Sequence, residues 1–143
     1  MNYDHYFEAF FALCGAFTSF FIGGLDGMLK LLLVFVIFDQ ITGVIKAAIL
    51  RKWSSEIGFH GIAKKVCMFI FVGMANVIDN EMLGHSEVLR DAVVMFYLAN
   101  EGLSIIENAI EMGAPVPDGL KERFMSWRNK QLSSKNTPGG EED

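Results

Sequence analysis

The stretch "LLLVFVIFDQITGVIKAAILRKW", residues 31–53, reads as a helix that leaves water, yet Asp39 stands in its middle and Lys46 follows two turns later. From about Met28 to Leu50 such a helix rises roughly 33 Å, close to the thickness of a hydrocarbon core. Lys46, and Lys30 near the opposite end, can extend their alkyl stems toward headgroups. Asp39 cannot. A charge held at the centre of a span costs at least ~2.5 kcal/mol on insertion scales, so this helix needs a polar partner.

The rest of the chain repeats the pattern. Residues 9–25 and 66–78 contain no charged side chain, and 31–50 contain only Asp39 and Lys46. Charge gathers in islands at 51–65, 79–91 and 118–143. With 52% of 143 residues hydrophobic, too little polar surface remains for a soluble helical bundle. The pattern predicts an all-α integral membrane protein, a bundle of four (alternatively three) transmembrane helices plus a C-terminal amphipathic helix. The spans fall at about 6–22, 28–50, 62–78 and 87–112, within a membrane domain of residues 1–116. A basic amphipathic helix at 117–133 and a disordered tail at 134–143 complete the chain. The net charge of -5 carries little information, because its distribution outweighs its sum. No basic stripe with interleaved aromatics points to nucleic acid. The N-terminus, with Asp4 and Glu8 and no Lys or Arg, does not read as a cleaved signal.

Local chemistry sets further expectations. In the first block Ala12, Ala16, Ser19 and Gly23 share an arc, a small-residue stripe suited to close helix packing or self-association, while phenylalanines occupy the rest. Gly23 to Gly27 forms a hairpin turn. Cys14 and Cys67 lie within apolar blocks as buried thiols. Residues 51–65 form a polar loop with Trp53 at the interface. Ser86 is the expected N-cap of the fourth helix, with Glu87 in its first turn. That helix closes at Gly113, and Pro115 forbids continuation.

The fourth helix is the informative one. Arg90, Tyr97, Glu101, Ser104, Asn108 and Glu111 form a polar stripe about 80° wide, broadened by Asn100 and Glu107. On the second helix Asp39, Gly43 and Lys46 share a face. The expected partners are Arg90 or Asn100 for Asp39, and Glu101 or Glu107 for Lys46. Buried charge of this kind is a set of paired locks within one bundle, or the lining of a wet passage between assembled copies; a proton or ion relay within one chain is a third reading. No nucleophile, metal-ligand or phosphate-loop motif occurs, so neither an enzyme nor a cofactor is expected. His5, His60 and His85 lie in separate polar segments. Lys121, Arg123, Phe124, Trp127, Arg128 and Lys130 suit a helix lying on an anionic membrane surface. Lys and Arg in the short loops place residues 51–65 and the C-terminus in the cytoplasm.

The segments "FDQITGVIKA" (38–47), "SSEIGFHGIAKKV" (54–66) and above all "LANEGLSIIENAIEMGAPVPDGLKE" (98–122) resemble the toxin-secretion/phage-lysis holin family of Gram-positive phages and clostridial toxin loci. The resemblance covers about residues 28–128. Its matching positions are Asp39, Gly43, Lys64, Lys65, Asn100, Glu101, Gly102, Glu107, Asn108, Gly113, Pro115 and Pro117. It implies a protein of the bacterial cytoplasmic membrane that homo-oligomerises and opens lesions, releasing an endolysin or an exported toxin without binding it tightly. The rivals are a small-ion channel and a non-lytic membrane scaffold.

Overall fold

The computed structural model describes residues 3–135. Five helices follow in order: α1 (Tyr3–Ile22), α2 (Gly27–Ile49), α3 (Ser55–Met82), α4 (Val88–Glu111) and α5 (Asp118–Lys135). No strand occurs among the described residues. Three segments are long and apolar enough to cross a membrane: His5–Ile22, Gly27–Ile49 and Gly58–Met82. α4 has a comparable length of 24 residues but carries Arg90, Asp91, Glu101, Glu107 and Glu111. The tail expected at 134–143 lies outside the described residues from 136 onward, and α5 continues to Lys135.

α4 is the centre of the bundle, packed along α2 and α3, while α1 leans on α3. Asp26 meets Arg90, Asp39 meets Asn108 and Lys46 meets Glu111, in the same order along both helices, so α2 and α4 run parallel. α3 runs antiparallel to both, packed on α4. The core is a single apolar seam of Leu29 and Leu32 from α2, Met68 and Val72 from α3, and Val94 and Leu98 from α4.

Two sequence expectations change here. Residues 55–65 are helical rather than a polar loop, leaving Arg51 to Ser54 as the connection. Nothing between Ser54 and Met82 breaks a helix: no proline intervenes, and the Ser54 carbonyl accepts from Gly58 N–H at 3.1 Å to open the first turn. The N-cap of α4 also differs. Glu87 occupies that position at φ 50 and its side chain caps nothing. The cap comes from α3 instead, where the Asp79 carboxylate accepts from Leu89 N–H at 3.1 Å and Arg90 N–H at 2.7 Å. Ser86 supports that carboxylate through its hydroxyl at 3.1 Å.

The C-terminal end of α4 follows the sequence reading. Gly113 at φ 76 donates to the Ile110 carbonyl and Ala114 N–H reaches Ala109, the double closure of a Schellman turn.

α1 is the exception to the packing. Its span is 0% buried, and the faces of Ala12 and Ala16 are as exposed as those of its phenylalanines. Both cysteines are free and exposed, where the sequence reading expected buried thiols; Cys14 lines an open groove beside α2 and α3. α1 is held close at its C-terminal end. The Phe21 ring lies where a Cβ on Gly73 of α3 would stand, so only glycine admits the approach. Gly73→Val should therefore cost about 1–3 kcal/mol through overpacking. Hydrogen exchange should rise across α1 and stay unchanged across α2 and α4.

Candidate functional site

Three polar layers cross the bundle. The first lies at the end formed by the α1–α2 and α3–α4 turns, and its hub is Arg90, which is 0% exposed. Its guanidinium donates from Nε to the Ile22 carbonyl at 2.7 Å, from Nη2 to the Gly24 carbonyl at 3.2 Å and from Nη1 to Asp26 Oδ2 at 2.6 Å. Asp91 stands 3.5 Å away. Asp26 meanwhile caps α2, its other oxygen accepting from Leu29 N–H at 2.8 Å. Asn76 of α3, 4% exposed, donates to the carbonyls of Phe20 and Phe21 at 3.3 and 3.0 Å. Gly24 N–H serves Ser19 at 2.8 Å. All four terminal carbonyls of α1, which end without helical partners, are thus satisfied inside the fold. Gly23, at φ 86, sits against Asn76 and Arg90 with no space for a Cβ.

The second layer lies at mid-depth. Asp39 is near the centre of α2, and its partner is Lys65 of α3, whose ammonium donates to Asp39 Oδ2 at 2.9 Å. The same ammonium donates to Glu101 Oε2 of α4. All three side chains are 13–15% exposed. Asn108, 5% exposed, donates to Asp39 Oδ1 at 3.2 Å and to the Thr42 hydroxyl at the same distance. Two carboxyl groups therefore share one ammonium and one amide across three helices. The third layer sits one to two turns beyond, where Lys46 meets Glu111 at 3.2 Å. Arg128 of α5 approaches Glu111 at 3.7 Å and Glu107 at 3.9 Å.

The sequence reading located the polar faces but not their pairing. Asp39 does not reach Arg90 or Asn100: Arg90 is committed to the far end, and Asn100 is exposed. Lys46 takes Glu111 rather than Glu101 or Glu107, because the parallel offset of α2 and α4 sets them side by side. Tyr97 joins the apolar seam and packs edge-on to Phe96 at 5.3 Å, and Ser104 is half-buried. Gly43 lies beside Asn108, but a Cβ there would make an ordinary 3.7 Å contact. On α5, Phe124 is buried at 6% and Arg128 faces the acids of α4, so these two turn toward protein instead of the membrane surface. Lys121, Arg123, Trp127 and Lys130 remain exposed.

Lys65 is the residue missed as a partner. It falls where the expected loop of 51–65 and the expected span of 62–78 overlap, and its helical phase matches the buried Met68, Val72, Ala75 and Asp79 at three, seven, ten and fourteen residues onward. That register was the available signal.

A bundle of apolar helices closed internally by ion pairs and amide bonds defines an all-α membrane protein. The chain belongs to the bacteriophage holin family, whose profile matches residues 16–135. It is 44% identical over 116 residues to an uncharacterized protein of Listeria monocytogenes, covering 81% of this chain and 82% of that one. It is 43% identical over 108 residues to the uncharacterized protein YqxH of Bacillus subtilis, covering 76% of each. A probable holin of Bacillus phage phi105 matches at 42% identity over 96 residues, 67% of this chain and 70% of the relative. No solved structure matches the chain. Membership implies a non-enzymatic protein of the membrane and supports a holin role.

The layers yield two expectations. Lys65→Met, which leaves two carboxyl groups without their cation, should cost about 3–5 kcal/mol of bundle stability in detergent. The exchange Lys65→Glu with Glu101→Lys should recover part of that loss in thermal unfolding. At the turn end, the Arg90 guanidinium holds the Asp26 carboxyl below its ordinary 3.8, against the opposing effect of burial. A depressed acid stabilises the fold above its unfolded value and loses that contribution as pH falls through the folded one. Unfolding should thus be insensitive to Asp26 between pH 7 and 5, and Asp26→Asn should flatten the decline below 3.8.

Proposed function

We propose that this chain is a holin that accumulates in the bacterial cytoplasmic membrane, homo-oligomerises and opens lesions through which an endolysin or toxin leaves the cell. The observation that carries the reading is the mid-depth set of Asp39, Lys65, Glu101 and Asn108. Charges of this kind are costly in hydrocarbon, and a chain that needed only to sit in a membrane could fill those positions with leucine. Within one chain they satisfy each other. When copies crowd together, the same groups can re-pair between neighbours and turn a wet face toward a shared interior. The density of copies then sets the moment of opening.

The topology that accompanies this reading puts the α2–α3 connection, with Arg51 and Lys52, and the C-terminal α5 on the cytoplasmic side, as positive charge in short loops directs. In the four-span arrangement α4 crosses with its polar stripe covered by α2 and α3, and the N-terminus is also cytoplasmic.

The test is timed release of a folded cytosolic reporter enzyme from inducible bacterial cells, recorded alongside membrane potential. Abrupt release after a silent delay, together with depolarisation, is the expected result. Depolarisation with the reporter retained would replace lesions with a small-ion channel. Neither signal at confirmed membrane levels would leave a non-lytic scaffold. Asp39→Asn, which removes one carboxylate from the shared ammonium, should shift the delay at equal expression; unchanged timing would remove the re-pairing trigger.

A further inference from the structure

α5 has two chemically different sides. One faces the bundle: Phe124 is buried, and Arg128 stands between Glu107 and Glu111. The other presents Arg123, Ser126, Trp127 and Lys130, spaced at zero, three, four and seven residues and therefore on one helical face. These four side chains and Glu122 line a shallow, open recess of about 340 Å³. Trp127 is 48% exposed, yet its indole is braced against the Phe124 ring at a centroid distance of 6.0 Å. Arg123 and Lys130 form no ion pair with another described residue, in contrast to Arg128 and Lys46.

We propose that this face is a binding site for the headgroup of an anionic phospholipid. The occupant follows from the chemistry of the recess. Two cations about two turns apart, without an ion pair among the described residues, outnumber Glu122 and complement a phosphodiester and its negatively charged neighbours. Ser126 supplies a hydroxyl donor between them. A braced, half-exposed indole belongs at headgroup level, where its ring meets acyl carbon and its N–H meets phosphate and water. The chain spans a membrane, so such headgroups are within reach of α5 without a further partner. The inward side fixes the helix to α4, and the outward side reads the charge of the leaflet. The proposal needs only membrane residence and is independent of lesion formation.

The experiment uses the full chain carrying Trp53→Phe, so that emission reports Trp127, reconstituted in phosphatidylcholine vesicles with or without phosphatidylglycerol. The expected result is a blue shift of the emission and reduced quenching by neutral acrylamide when phosphatidylglycerol is present. Raising the salt concentration should reverse both, since the interaction is screened within about 10 Å at 0.1 M. Arg123→Gln with Lys130→Gln should abolish the shift, and Arg123→Lys with Lys130→Arg should retain it, with helicity unchanged by circular dichroism in each. Identical emission in the two lipid mixtures would overturn the proposal. So would an undiminished shift in the double glutamine variant, or the same shift produced by inorganic phosphate with phosphatidylcholine alone.

Discussion

The ammonium of Lys65, held between Asp39 and Glu101, is the interaction on which the bundle depends. It joins α2, α3 and α4 near the middle of α2, where the three side chains are largely covered by the bundle. Apolar packing alone does not hold helices together in a bilayer, because a leucine gains little by leaving acyl chains for another leucine. A shared charge behaves differently. Each of the three groups is costly to expose, so all three favour the arrangement in which they meet, and the helices carrying them are brought into one register. Asn108 adds an orienting bond to Asp39 and Thr42, so the carboxylate is held from both sides.

Arg90 performs the corresponding task at the turn end, with backbone as well as side chain. One guanidinium serves a terminal carbonyl of α1, a carbonyl of the glycine turn and the N-cap aspartate of α2. Its own N–H is capped by Asp79 from α3. α1, α2 and α3 are thus all tied to a single turn of α4. The arrangement satisfies the unpaired groups at these helix ends from within the fold, so they do not depend on water.

This tying is unequal along the molecule. α2, α3 and α4 are joined in three layers, whereas α1 is fixed at its C-terminal end by Asn76, Arg90 and the Phe21–Gly73 contact. The remainder of α1 presents aromatic rings to its surroundings. An open groove beside α2 and α3 runs along this uncommitted part of α1.

Sequence alone determined the helical class, the apolar spans and which positions carry polar groups, because these follow from hydropathy and from periodicity within one helix. Asp39, Glu101, Asn108 and Arg90 were legible as polar residues on largely apolar helices, and Gly113 as a helix end, from their local context. Their partners were not. Pairing depends on the relative rotation and vertical offset of α2 and α4, quantities to which no single helix contributes enough information. Two local misreadings made this worse. Reading 51–65 as a polar loop left Lys65 at the edge of the expected span and out of the pairing, and the serine before α4 concealed a cap delivered by Asp79 from another helix. On α5 the basic composition was readable, but only the fold turned Phe124 and Arg128 inward and left Arg123 and Lys130 outside. Composition dictated that this chain enters a membrane; the tertiary structure decided which charge answers which, because an ion pair between helices is a property of their packing and of neither sequence segment alone.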